Sequence, residues 1–217
     1  PKNKGEYLNN KKVGEWKIFH KNGTLKRTEF YEDGIQNGYS REYYDNKVLR
    51  IEGIVVNGLK EGKWTYFYSG GELSSEGIFK NNRMEGDWLS YYKSGQLKKK
   101  RTCVNHLEEG EWISYHRNGQ VAGSGVFENG MREGKWLTYF ENGNLFLKGV
   151  YFKDQKIDNW KRYHLNGSLK DNEYYVANKK NGHWETYYGN GQLKTTKFYE
   201  YNLQVNKEMT YFENGEL

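Results

Sequence analysis

The sequence predicts an all-β fold: an elongated single-sheet antiparallel meander, a solenoid of about nine 24-residue β-hairpin repeats. Three observations predict it. A glycine returns every 24 residues, at Gly14, Gly38, Gly62, Gly86, Gly110, Gly134 and Gly182, with Asp158 and Asn206 in the two remaining places. All seven tryptophans lie two residues after that position, at Trp16, Trp64, Trp88, Trp112, Trp136, Trp160 and Trp184, while Ser40 and Glu208 stand there in the other two units. Asn-Gly fills the first turn of six units, and Asp-Gly or Asn-Gly the second turn of three. Self-similarity of this kind marks an array whose units pack on their neighbours.

Each element of the unit has its own signal. Counting Gly14 as position 0, position 5 is aromatic in all nine units, from Phe19 to Tyr211, and position 11 is aliphatic, from Leu25 to Leu217. The first turn lies at positions 8 and 9, as in Asn22-Gly23 and Asn142-Gly143, and the second at positions 19 and 20, as in Asp33-Gly34 and Asn57-Gly58. Both pairs tolerate positive φ at two successive residues, so both are expected as type I′ hairpin turns. The segments between them are rich in β-branched and aromatic residues, as in Gly77-Ile78-Phe79 and Val150-Tyr151-Phe152, and have strand length. The position 0 glycine falls inside the longer strand, where it marks a bulge or a close backbone approach. With no linker and no break in composition, residues 1–217 read as one repeat-array domain. At two strands per unit, nine units would rise about 90 Å.

Composition fits this reading and excludes others. A mean hydropathy of −1.09 is low enough for disorder. The aromatic share of 17% opposes that, because large rings stacked along a sheet compensate for a shortage of aliphatic residues. Only Ala122 and Ala177 supply alanine, against a long-helix protein. One cysteine excludes a disulfide scaffold, and no apolar run reaches the ~20 residues of a spanning helix. The chain begins at Pro1, which leaves a removed leader open.

The unit Gly-x-Trp-x-x-Tyr-Tyr/Phe-x-Asn-Gly-x-Leu, clearest in Gly62-Lys63-Trp64-Thr65-Tyr66-Phe67 and in residues 134–140, resembles the bacterial MORN-repeat variant found in the YwqK-type antitoxin family and in cell-envelope or secreted proteins. The resemblance implies a repetitive β-hairpin sheet, a role in binding other macromolecules, and no catalytic residues. It names no partner. Neutralising a toxin and acting at the cell surface are both open, as are the bacterial cytoplasm and envelope.

The search for chemistry agrees. No nucleophile elbow, phosphate-binding loop or His-Glu-x-x-His motif occurs, so no catalytic, cofactor or metal residue is assigned. His20, His116 and His164 fill position 6, where other units carry Tyr or Phe, and read as ladder members. Cys103 replaces an aromatic and reads as a buried small hydrophobe. Glu61, Glu85, Glu109 and Glu133 are too far apart to share a proton or a metal and read as a solvated stripe, within hydrogen-bonding reach of the adjacent turn. Residues 1–108 hold 20 basic and 14 acidic side chains, and residues 109–217 hold 14 of each. The densest basic run, Lys98, Lys99, Lys100 and Arg101, alternates between the faces of a strand.

The function read from the residues is a non-enzymatic scaffold for a protein partner. Binding is expected at variable positions on the invariant frame, exemplified by Tyr66, Leu89, Ile113, Phe146 and Leu147, with the 98–101 basic run as a further candidate. A rival reading is a carbohydrate- or lipid-binding module that uses exposed aromatic ladders. Nucleic acid fits poorly, because acids nearly match bases. Unit two (Ser40, Lys47) and unit seven (Lys153-Asp154, Asp158) depart from the frame, which reads either as neutral drift in a tolerant array or as a place where function is hidden.

Overall fold

The computed structural model describes residues 3–217, and every regular element among them is a β-strand. The chain divides into two compact units, one ending at Leu107 and one running Glu108–Leu217. The first unit holds β1 (Lys4–Leu8), β2 (Lys11–Phe19), β3 (Leu25–Glu32), β4 (Ile35–Gln36), β5 (Gly38–Tyr43), β6 (Leu49–Val56), β7 (Leu59–Phe67), β8 (Leu73–Lys80), β9 (Arg83–Tyr91) and β10 (Leu97–Val104). The second holds β11 (Leu107–Tyr115), whose first residue closes the first unit, then β12 (Val121–Glu128), β13 (Met131–Tyr139), β14 (Leu145–Phe152), β15 (Gln155–Tyr163), β16 (Leu169–Val176), β17 (Lys179–Tyr187), β18 (Leu193–Glu200), β19 (Leu203–Gln204) and β20 (Met209–Thr210). Within each unit the strands form an antiparallel meander in chain order, as the 24-residue period requires.

The two turns of a repeat differ in kind. The second is type I′ as expected: Asp33 (φ 49) and Gly34 (φ 82) are both left-handed, and so are Asn129 (φ 51) and Gly130 (φ 79). The first is not. At Asn22-Gly23 only the glycine is left-handed, and its N–H donates to His20 O at 3.0 Å. This is a type I turn closed by a left-handed glycine. The physical reason is the asparagine side chain: Asn22 Oδ1 accepts the Thr24 N–H at 3.0 Å, which keeps Asn22 itself right-handed. The same bond recurs at Asn46, Asn118, Asn142, Asn166, Asn190 and Asn214.

Position 0 is a bulge, as its glycine signalled. Gly134 has φ +64, and the β12–β13 register slips between Ser124 and Val126, opposite it. The glutamate stripe caps turns: Glu61, Glu85, Glu109 and Glu133 accept the N–H of Asn81, Asn105, Asn129 and Lys153 at 2.8–3.0 Å. Within each unit, tyrosine or histidine at position 6 stitches its repeat to the next. Tyr44 and Tyr68 donate to Phe67 O and Tyr91 O at 2.9 and 2.8 Å, and the His20, His116 and His164 rings meet the corresponding carbonyls at 2.9, 2.9 and 3.1 Å. A polar hydrogen-bonding ring is therefore what tyrosine and histidine share there.

The tryptophans form the core layer, all on one face. Trp160 is 3% exposed and Trp64 4%. The indoles do not stack directly on one another for the most part. An aromatic from position 17 stands between them edge-on: Trp64, Phe79 and Trp88 in the first unit (6.0 and 5.1 Å), and Trp136, Tyr151 and Trp160 in the second (5.9 and 4.8 Å). Cys103 takes that position and is fully buried.

Candidate functional site

Two columns that the sequence did not single out complete the tryptophan face. One is glycine at position 15, eleven residues before most of the indoles; Arg101 and Glu173 stand there before Trp112 and Trp184. A Cβ at Gly53, Gly77, Gly125 or Gly149 would collide with the ring of Trp64, Trp88, Trp136 or Trp160. The other is a cation at position −2. The ammonium of Lys60 lies 4.2 Å from the Trp64 ring and 4.8 Å from Phe79; Lys12, Lys156 and Lys180 make the same pair of contacts at 4.5–5.0 Å, and Arg132 lies 4.0 Å from Tyr151. The stems cover the indoles and leave the charge at the rim. Burial lowers the pKa of Lys60 and of Lys156 below the usual lysine value. The period exposed both columns in principle, since lysine recurs at residues 12, 60, 156 and 180. The ring that each glycine meets, and the second ring that each lysine reaches, however, lie on a neighbouring strand.

The layer opens at Ser40. There the position 15 residue is Glu29 instead of glycine, and Glu29 and Ser40 line the same cavity. Glu29 is only 5% exposed; it accepts from Tyr31 Oη at 2.9 Å and lies 2.9 Å from Arg27 Nε. Burial and the Glu29 contact push the Tyr31 phenol up to about 12. A cavity of about 290 Å³ remains, lined by Arg27, Glu29, Ser40, Glu42, Lys60 and Trp64 among others. Glu42 is held by Arg50 at 2.7 Å. Arg27 with Glu29 and Arg50 with Glu42 balance the charges in pairs, so the cavity is equipped for polar contact. The strand also breaks there, between β4 and β5 at Asn37, and it breaks again between β19 and β20, where Glu208 replaces tryptophan. Both interruptions fall where no indole presses the strand onto its neighbour.

The sequence-predicted contact residues divide between the faces. Tyr66 lies on the tryptophan face, half-buried, its ring 6.2 Å from Trp88 and its hydroxyl 3.4 Å from Lys60. Leu147 lies on that face too, paired with Thr138 and Arg162. Lys99 and Arg101 pair with Ser90 and Trp88 there, and Arg101 reaches Met84 Sδ at 3.8 Å. Leu89 and Lys100 share the opposite face, where Lys100 pairs with Asp87 at 3.0 Å. Ile113 lies on that face opposite Ser124. Phe146 packs edge-on against Phe140 at 5.0 Å, and the Lys98 ammonium lies 5.6 Å from the Tyr92 ring. The structure therefore does not gather these residues into one patch.

What the opposite face carries instead is a column at position 16. In the first unit Phe30, Ile54 and Ile78 stand there 38%, 40% and 48% exposed, flanked by the Arg41–Glu52 and Lys63–Glu76 ion pairs at 3.2 and 2.7 Å. In the second unit Val126 and Val150 hold the same position. Among the described residues no group of His, Cys, Asp and Glu is placed to hold a metal ion.

No curated protein matches the chain. A chain in the crystal structure of TcdB2-TccC3-Cdc42 is similar over 91% of this chain and 14% of its own, at 11% identity and a TM-score of 0.21. The family model of the MORN repeat variant matches residues 12–34, 60–81, 84–105, 108–129, 132–154 and 180–201, more than half of the chain. The matches skip the units of Ser40 and Asp158, which depart from the frame. Repeats of this kind are generally non-enzymatic scaffolds, often for protein or membrane interaction. In sequence period, hairpin structure and family match alike, this chain belongs to the MORN repeat variant family.

Proposed function

We propose that the chain is a non-enzymatic bacterial scaffold that holds a protein partner on the face opposite its tryptophans. The observation that supports this most is the exposed apolar column of Phe30, Ile54 and Ile78, repeated at the sheet's own spacing and set among paired charges. Apolar residues framed by polar ones are the composition of a protein-binding patch. The aromatic ladder that a carbohydrate or lipid module would need is turned inward: Trp16, Trp64, Trp88 and Trp160 are all buried, and the first, second and fourth are roofed by Lys12, Lys60 and Lys156. In an antitoxin-like setting the partner would be a toxin, and in a surface setting another envelope protein.

The test is capture from a lysate of the source cells with three baits: the natural chain, an Ile54→Arg/Ile78→Arg variant, and a Lys60→Met variant altered on the tryptophan face. A specific protein held by the first and third and lost from the second supports the reading. Equal capture by all three, or recovery of glycan and no protein, refutes it.

A further inference from the structure

We propose that Lys135, Lys148 and Lys161 form a docking site for an acidic peptide segment of the protein partner, with the segment's aliphatic parts resting on Leu137 and Val150. The inference rests on the proposed function and names the chemistry of the partner. The three lysines lie one each on β13, β14 and β15, around a shallow groove of about 450 Å³ also lined by Leu137, Gly149, Val150 and Asn159. Leu137 pairs with Lys148, Lys148 pairs directly with Lys161, and Lys135 pairs with Val150. Lysines opposite one another on a sheet repel, so the arrangement costs stability in the free chain.

The first unit shows what the same positions do when they are only structural. Three repeats earlier, Lys63 and Glu76 correspond to Lys135 and Lys148, and they form an ion pair at 2.7 Å. In the second unit the acid is replaced by a lysine. None of the three lysines makes an ion pair among the described residues; Lys148 rests 5.6 Å from the Tyr163 ring. The nearby acids are engaged elsewhere. Glu133 caps the Lys153 N–H at 2.9 Å, and Glu185 accepts from Asn172 at 3.0 Å and from Tyr187 at 2.8 Å.

Carboxylates on a peptide fit this site better than a membrane surface does. Residues 109–217 carry 14 basic and 14 acidic side chains, so no broad positive field faces a planar anionic bilayer. A local cluster over an apolar floor suits a glutamate or aspartate flanked by aliphatic residues, since lysine acts as a flexible point charge.

Fluorescence anisotropy tests the inference, with a short labelled peptide of alternating glutamate and leucine titrated with the full chain. Binding is expected, weakened by added salt. It should fall about tenfold or more in Lys148→Gln/Lys161→Gln and stay within about twofold in Lys98→Gln/Lys100→Gln. The alternating glutamine–leucine peptide should not bind. The lysine positions are exposed or half-buried, and the double variant should melt at a slightly higher temperature than the natural chain, which excludes misfolding. Absence of peptide binding, equal loss in both variants, or tighter binding to anionic phospholipid vesicles or inorganic phosphate overturns it. If the double variant still captures the lysate partner, this inference fails alone. If only the Ile54→Arg/Ile78→Arg variant loses it, the proposed function stands.

Discussion

Replacing Gly149 by alanine tests whether Trp160 is held by the glycine beneath it. Gly149 is not left-handed, so its strand backbone accepts alanine without strain. The added Cβ would fall within the contact shell of Trp160 Cδ2 and Cε2. The indole would have to lift by about 1.5 Å to regain an ordinary carbon contact. Above it stand Lys156 at 4.5 Å and Tyr151 at 4.8 Å, so the ring has little room. Overpacking of this kind costs about 1–3 kcal/mol. The ceiling is complete expulsion of the ring: about 200 Å² of indole at about 25 cal/mol per Å² is roughly 5 kcal/mol. We expect a loss of about 2–3 kcal/mol. In a Trp160→Ala background the same substitution should cost nothing measurable, because the clash is gone. A double-mutant cycle read by urea titration, with circular dichroism as the signal, should therefore give a coupling of about 2–3 kcal/mol. Hydrogen exchange across β14 and β15 should localise the loss. Additivity within about 0.5 kcal/mol would refute the argument. As a control, Gly62→Ala has open space around its Cβ but a φ of +67, so it should cost about 1–2 kcal/mol with or without Trp64.

Three further outcomes are expected. Lys47 sits at φ 70, where other first turns have glycine, so Lys47→Gly should stabilise the chain by about 1 kcal/mol in the same titration. Tyr31 has its pKa raised from 10.0 to about 12, so the folded chain keeps a proton that the unfolded chain has released. The stability it adds is whole below pH 10 and is lost as pH rises from about 10 to about 12, a slope that Tyr31→Phe should flatten in a pH series of urea midpoints. Lys161→Glu sets a carboxylate opposite Lys148 and should raise stability by about 0.2–1 kcal/mol while abolishing acidic-peptide binding; a stabilised variant that still binds would remove the lysine site.

The features legible in the sequence are those that a single repeat enforces on itself. The bulge at Gly134, the left-handed pair Asp33-Gly34 and the burial of Trp160 all follow from local backbone or burial demands repeated every 24 residues. The features that were not legible depend on register between strands. Asn22 looked like half of a type I′ pair, because the competing bond from its own side chain to Thr24 leaves no mark in residue type. Tyr66 was read as a surface residue, because a half-polar aromatic at a variable position gives no sign that it will lie against Trp88. Gly149 and Trp160 are eleven residues apart, and only the pairing of β14 with β15 brings the ring over the glycine. The same holds most sharply for the lysines. Residues 135, 148 and 161 are spaced by thirteen, in the half of the chain with no net charge, while the conspicuous run Lys98–Arg101 is divided between two faces and partly neutralised by Asp87. Counting charges along the chain therefore does not mark the lysine cluster, because in a meander a thirteen-residue step returns to the neighbouring strand on the same face. A functional patch on such a scaffold is written across strands, and it becomes readable once each charge is compared with the residue opposite it: Lys63 meets Glu76, whereas Lys135 has Lys148 in the same place.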